Sequence, residues 1–273
     1  GSVSTAAGTG VSGTWLLDPT NITISSADNE DITDATPFGP SGTPTSSTLN
    51  LTTLNDALKS GDVTITTNSG GSGTGNVTIS GDIQPTDDVT NNNLTITADG
   101  SINMMSGSID LNAGALALTA GNTGDEGVIF ASGNITAGSI TAQADTTITL
   151  VGAIDLSGGT FSGTTSESGG AITVSNIGAA EVSATVNDGT VLLTSTGATT
   201  INQITAGTGS VTINSSSTID DHAVDTTADI TADSITIGGS NTGVGATKQL
   251  DLASATSITT QPTGNIDARH DAD

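Results

Sequence analysis

A short phrase recurs along the chain: an aliphatic residue, a Thr or other small residue, then a second aliphatic. It occurs at Val63-Thr-Ile65, Val77-Thr-Ile79, Leu94-Thr-Ile96, Ile109-Asp-Leu111, Leu116-Ala-Leu118, Ile148-Thr-Leu150, Ile154-Asp-Leu156, Ile172-Thr-Val174, Val191-Leu-Leu193, Val211-Thr-Ile213, Ile235-Thr-Ile237 and Leu250-Asp-Leu252. A period of two predicts a short strand with side chains in, out, in. The Gly, Asn, Asp and Ser clusters between the phrases predict turns. Fuller repeats fall roughly 17 to 24 residues apart, as at 172, 191, 211 and 235. A bounded but irregular period of this kind predicts a solenoid.

Short repeats in phase favour parallel stacking, each strand meeting its equivalent one coil later. The expected fold is therefore all-β: a right-handed parallel β-helix of about ten coils, the hand following the usual twist preference. At about 4.8 Å per coil this makes a rod on the order of 50 Å. An antiparallel roll or sandwich would want Asn-Gly or Asp-Gly hairpins between longer strands. Asp99-Gly100 and Asp188-Gly189 are present, but their flanking strands are short.

Three regions follow. Residues 1–60 form an entry segment with Trp15, Pro19, Pro37, Pro40 and Pro44. It holds a short helix near residues 53–60, with Thr53 as N-cap and Asp56 completing a capping-box variant. Leu54 and Leu58 share one face, and Gly61 would end the turn in a left-handed conformation. Residues 61–260 form the β-helix rod and residues 261–273 a C-terminal tail. The opening Gly1-Ser2 resembles an expression scar, and the abrupt end suggests an excised piece of a longer protein.

Composition narrows the function. Aromatic residues make up 1% of the 273-residue chain, with one Trp, three Phe and no Tyr. A thin aliphatic core suits a β-helix better than a wide sandwich. The formal charge is −25, and Lys59, Lys248 and Arg269 are the basic side chains. Nucleic acid and anionic membranes are thereby excluded as partners, since both need clustered cations. The acidity keeps a long β-surface from pairing with copies of itself. Without cysteine there are no disulfides or thiolate metal sites, and no apolar run is long enough to insert into a membrane.

Residues 13–24 are Gly-Thr-Trp-Leu-Leu-Asp-Pro-Thr-Asn-Ile-Thr-Ile. Leu54-Asn-Asp-Ala-Leu58, Gly61-Asp-Val-Thr-Ile-Thr-Thr67 and Gly75-Asn-Val-Thr-Ile79 follow. Over about residues 13–83 this succession resembles a segment of bacterial filamentous-haemagglutinin-like exoproteins. The rest of the chain matches in style only, with Gly-Asn-Ile-Thr at 133–136 and Gly-Ser-Ile-Thr at 138–141. The resemblance implies an adhesin, secreted or on the bacterial outer cell surface, exported by two-partner secretion through an outer-membrane transporter. It further implies a right-handed parallel β-helix, and attachment to a host or neighbouring cell surface, a polysaccharide or a biofilm. The secretion-recognition domain of that family is not recognisable here, so the chain resembles an internal stretch.

The chemistry within the chain was weighed against this. Acid–base hydrolysis needs two placed carboxylates, for which Asp87-Asp88, Asp220-Asp221-His222 and Asp28-Asn-Glu-Asp31 are candidates in predicted loops. A β-helix polysaccharide-processing enzyme would also want a basic residue, and the chain has almost none. The expectation is no catalytic residue and no cofactor, with a structural spacer as a further alternative. Calcium is the one ion considered: Asp28, Glu30, Asp31, Asp125 and Glu126 offer hard oxygen ligands, but the glycine-rich calcium nonapeptide is missing. Trp15 is the one candidate sugar platform, weighed against packing over an aliphatic rung. Thr64 and Thr66, Thr95 and Thr97, and Thr147 and Thr149 suggest an ice-ordering face, which Asp110, Ala117, Asp155 and Asp251 interrupt. Asn-x-Ser/Thr sequons stand at Asn21, Asn50, Asn76, Asn93, Asn134 and Asn214, and related adhesins carry sugars at such sites.

Overall fold

The aliphatic phrases all lie in or at the edge of parallel β-strands, as their alternation requires. The computed structural model describes residues 21–31, 46–67, 74–85, 91–121, 127–178, 180–225, 227–240, 243–261 and 265–270. Strand pairing is almost entirely parallel, and the fold is a β-solenoid of about nine turns with a single helix among the described residues, against about ten coils expected. It divides into two compact units, residues 1–145 and 146–273. The described helix is too short to cross a membrane.

In the first unit the turns build three parallel ladders. One ladder runs Ser47–Asn50, Ile22–Ser25, Val77–Ser80, Ile102–Ser106, Val128–Ala131. A second runs Val63–Thr66, Leu94–Ala98, Ala115–Ala120, Ser139–Ala144. The third is short, with Ile83 against Ile109 and Ile109 against Ile135. Like residues stack on like: Val63, Leu94, Leu116 and Ile140 form one buried column, and Ile65, Ile96, Leu118 and Ala142 the next. Each such Val, Ile or Leu contributes about 2 kcal/mol by leaving water. That stacking replaces the aromatic bulk the chain lacks.

Polar residues tie the corners. Asn21 Oδ1 accepts from the Asn76 N–H at 2.9 Å, and Asn76 Oδ1 accepts from the Ser101 N–H at 2.8 Å, each one turn on. Asp62 Oδ1 accepts from the Asn93 N–H at 2.9 Å, and Asn93 Oδ1 from the Ala115 N–H at 2.8 Å. Four sequon asparagines, Asn21, Asn76, Asn93 and Asn134, stand directly before strands. At Asn21, Asn76 and Asn93 the side-chain acceptor satisfies a backbone donor where the sheet turns.

The helix, Leu51–Ser60, covers the end of this ladder stack. Leu54, Ala57 and Leu58 are buried on one face, as the i, i+4 spacing predicts. Its N-cap is Asn50, whose side chain accepts from the Thr52 and Thr53 N–H groups, and not Thr53. The Asn50 amide also donates to the Ala27 carbonyl at 2.8 Å, so the cap is latched to the loop before it. Gly61 is extended, with φ 166, instead of left-handed, and its N–H donates to the Ala57 carbonyl at 3.1 Å. Thr48 at the outer edge of the stack pairs with Glu30 in an antiparallel bridge. Helix and bridge together cover edges that would otherwise invite strand addition.

In the second unit one ladder runs Thr147–Leu150, Ala171–Ile177, Thr190–Ser195, Ser210–Ser215, then the later halves of Ile230–Gly238 and Leu250–Thr260. The register Ile172, Val191, Val211, Ile235 reproduces the spacing seen in the sequence. A second ladder runs Thr160–Ser168, Ala180–Asn187, Thr199–Thr205. Ile154, Ile177, Ser195 and Ser215 stack at a third corner. In the Leu250-Asp-Leu252 phrase the in, out, in assignment fails: Asp251 is 2% exposed.

Candidate functional site

That exception lies beside a break in the second ladder. Val182 pairs with Ile201 and Ser183 with Gln203, leaving Asn202 as a bulge. One turn later the strand splits: Ile201 pairs with Asp221, Ile204 pairs with Ile230, and residues 222–229 are extra. A bulge loosens and twists the local ladder, which makes room for the insertion. The His222 N–H donates to the Ile201 carbonyl at 2.8 Å, and the Ile204 N–H to the Asp229 carbonyl at 2.7 Å. Both stems of the loop therefore stay stitched to the same underlying strand.

The loop encloses a cleft of about 200 Å³. Asn202, Gln203, Asp221, His222, Asp225 and Asp229 give it polar walls. Asp221 and Asp229, the two stem residues, are each 4% exposed. The two carboxyl groups neighbour each other. Asp229 Oδ2 accepts from the Asp251 N–H at 2.7 Å, and the Asp229 N–H donates to the Asp251 carbonyl at 2.8 Å. Asp221 Oδ1 accepts from the Ala223 N–H at 2.8 Å.

Burial is the largest cause that raises the Asp229 carboxyl, pushing it up to about 7, against the lowering effect of the Asp251 N–H. The hydrogen bond to Asp221 and the charges of Asp221 and Asp251 push in the same direction as burial. Two neighbouring buried carboxyl groups cannot both be ionised at low cost. His222 Nδ1 lies 3.1 Å from Glu181 Oε2, and Lys248 Nζ donates to the His222 carbonyl. Val224 stands at the loop tip, 85% exposed.

The candidates from the sequence separate here. Asp221 and His222 come to the cleft, whereas Asp220 ties a corner, its Oδ1 accepting from the Thr247 N–H at 2.8 Å. Asp28, Glu30 and Asp31 are exposed, and Glu30 forms the bridge to Thr48 beside the helix N-cap. Trp15, Asp87, Asp88, Asp125 and Glu126 lie outside the described residues. Among the described residues no group of three or more His, Cys, Asp or Glu is placed to hold a metal ion. Sequence reasoning missed Asp229 and Asp251 because they lie 8 and 30 residues from Asp221 along the chain. The sole signal was Asp251 at the outward position of an aliphatic phrase.

No family model, no curated protein and no solved structure matches this chain.

Proposed function

We propose that this chain is a non-enzymatic attachment segment of a secreted or cell-surface adhesin. It would belong to an exoprotein of the filamentous-haemagglutinin-like kind, exported through an outer-membrane transporter of the two-partner type. The observation that supports this reading is the outward face of the second unit. Thr149, Thr173, Leu192, Thr212, Thr236 and Thr259 stand in register on neighbouring turns. A repeated row of Thr, interrupted by Leu192, offers many weak contacts to a cell surface or polysaccharide, and repetition multiplies them. Acidic loops repel anionic surfaces unless a divalent cation bridges them.

The competing reading, a polysaccharide-processing enzyme, would have to use the Asp221–Asp229 pair. Retaining and inverting glycosidases separate their carboxyl groups by about 5 Å and about 6.5–9.5 Å. Each of these two carboxyl groups is already engaged by a backbone donor, Asp221 Oδ1 by the Ala223 N–H and Asp229 Oδ2 by the Asp251 N–H.

Binding of the monomeric chain to cells and to a glycan array, with calcium and with chelator, tests the proposal. Weak binding shared among several surfaces and strengthened by calcium is expected. Release of reducing ends or unsaturated products from acidic or neutral polysaccharides, lost on Asp221→Asn, would replace this reading with the enzyme.

A further inference from the structure

We propose that the strand Leu250–Thr260 is a self-docking edge, through which two copies of this chain pair antiparallel about a two-fold axis that sets Thr259 opposite its own copy. The strand is paired on one side. Ile235, Thr236 and Ile237 of the preceding turn hold Ile258, Thr259 and Thr260 in parallel register. On the other side Ala268–His270 reaches residues 250–252. Among the described residues no strand pairs with 257–260 on that side.

The backbone phase of this edge is defined. The Gln261 N–H donates to the Ile237 carbonyl at 2.8 Å. Alternate residues of a parallel strand turn their backbone groups to the same neighbour. Ser257 and Thr259 therefore face the ladder, and Ile258 and Thr260 turn their N–H and C=O groups to the open edge. The aliphatic column opens at the same place: Val211 and Ile235 are 0% exposed, whereas Ile258 is half-buried.

Charge selects a second copy as the occupant. The chain carries −25, so two copies repel wherever acidic residues meet. From Leu252 to Ile266 no side chain is charged, and the edge has none of the Lys or inward acidic residues that guard exposed strands. In the first unit, by contrast, the Glu30–Thr48 bridge and the helix cover the end strand, so an added copy finds no open edge there. The two-fold arrangement is self-complementary and closes on itself. Ile258 exchanges N–H···O bonds with the partner's Thr260, and Thr260 with the partner's Ile258. Both residues point to the inward side, so the open column gains a neighbour. Thr259 meets the partner's Thr259 as a close hydroxyl pair, much as Ser234 and Ser257 oxygens already meet at 3.1 Å between turns. The short paired stretch makes the dimer weak and reversible on dilution.

Sedimentation equilibrium over a concentration series, with hydrogen exchange at its two ends, tests this. The parent should pass from one chain to two and stop there. The Ile258 and Thr260 amides should gain protection several-fold with concentration, and the Ser257 and Thr259 amides should not change. Thr259→Lys places like charges opposite each other on the outward face, clear of the core, and should keep the chain monomeric. Thr259→Cys introduces the sole thiol of the chain. Opposed Cα atoms about 4.5 Å apart suit a disulfide, so mild oxidation should yield a covalent dimer, and Thr212→Cys should not. A parent that stays monomeric, grows past two chains, or gains no protection at Ile258 and Thr260 overturns the proposal. So does a Thr259→Lys variant that dimerises like the parent.

Discussion

Asn76 reaches across one turn of the solenoid to Ser101, its Oδ1 accepting the Ser101 N–H at 2.8 Å. The same amide donates to Thr74 Oγ1 at 2.7 Å, so both ends of the side chain are used within the fold. Asn76→Ala would leave a corner donor without its acceptor and should cost about 1–2 kcal/mol in denaturant unfolding. Asn76→Asp keeps the acceptor and should recover most of that. Equal losses in both variants would show that the corner bond contributes nothing. Asn93 is engaged in the same way, its Nδ2 donating to Asp62 Oδ2 at 3.2 Å. The fold thus gives these asparagines a role that their sequon pattern does not require.

The inward columns should carry most of the stability. Ile213 and Ile237 are both 0% exposed and face each other across one turn. Ile213→Asp or Ile237→Asp places an unpaired charge in a dry column and should cost on the order of 4 kcal/mol. Thr236→Asp, on the outward face of the same strand, should cost less than about 1 kcal/mol. Thermal unfolding followed by circular dichroism separates them, and similar melting of all three would overturn the inward and outward assignment.

Much of the fold was legible because the two-residue period and the 172, 191, 211, 235 spacing are direct consequences of stacking like on like. Strands such as Thr160–Ser168 and Thr199–Thr205 were less visible. Their inward positions include Gly163 and Ala184, which give little hydrophobic contrast. The Asn50 cap was hidden because its partners include Ser26 and Ala27, more than twenty residues back, whereas a capping box is a local pattern. The buried aspartates Asp221, Asp229 and Asp251 were hidden for a related reason. Nothing local tells a buried aspartate from the outward aspartates Asp110 and Asp155, which occupy the same position in their phrases.

The turns also approach one another too closely for side chains at one corner. A Cβ on Gly189 would lie 1.8 Å from the Gly170 carbonyl oxygen, which already accepts from the Thr190 N–H at 3.0 Å. Gly189→Ala must therefore push two turns apart and should cost at least about 2 kcal/mol. At Gly178 the nearest such atom is 3.4 Å away, so Gly178→Ala should be nearly neutral. Denaturant midpoints of the two variants give the comparison, and a neutral Gly189→Ala would show that this corner relaxes freely.

The helical cover of the first unit makes a prediction about association. Leu54 and Leu58 are fully buried beneath Leu51–Ser60. Leu54→Ala should cost about 2–5 kcal/mol locally by opening a cavity under the helix. With the cover loosened, the end strands Ser47–Asn50 and Val63–Thr66 present unpaired backbone groups. Light scattering should then show Leu54→Ala growing past the two-chain assembly of the parent. A variant that stops at the parent's size, with reduced stability, would limit the helix to packing and remove its role as an edge cover.

The buried carboxyl at Asp229 should be visible in global stability, with a definite sign. Its folded-state value of about 7 lies above the ordinary aspartate value of 3.8. Between those values the folded state holds a proton that the unfolded chain has released, so stability falls as pH rises. One proton gives a limiting slope of about 1.4 kcal/mol per pH unit. The chain's many exposed carboxylates add their own dependence through a net charge of −25, but they are common to parent and variant. The difference in unfolding free energy between the parent and Asp229→Asn isolates the single group. It should shift steadily in favour of Asp229→Asn from about pH 4 to about pH 7 and be flat above. A difference that is constant across the whole range would mean that Asp229 ionises as readily in the fold as in the unfolded chain.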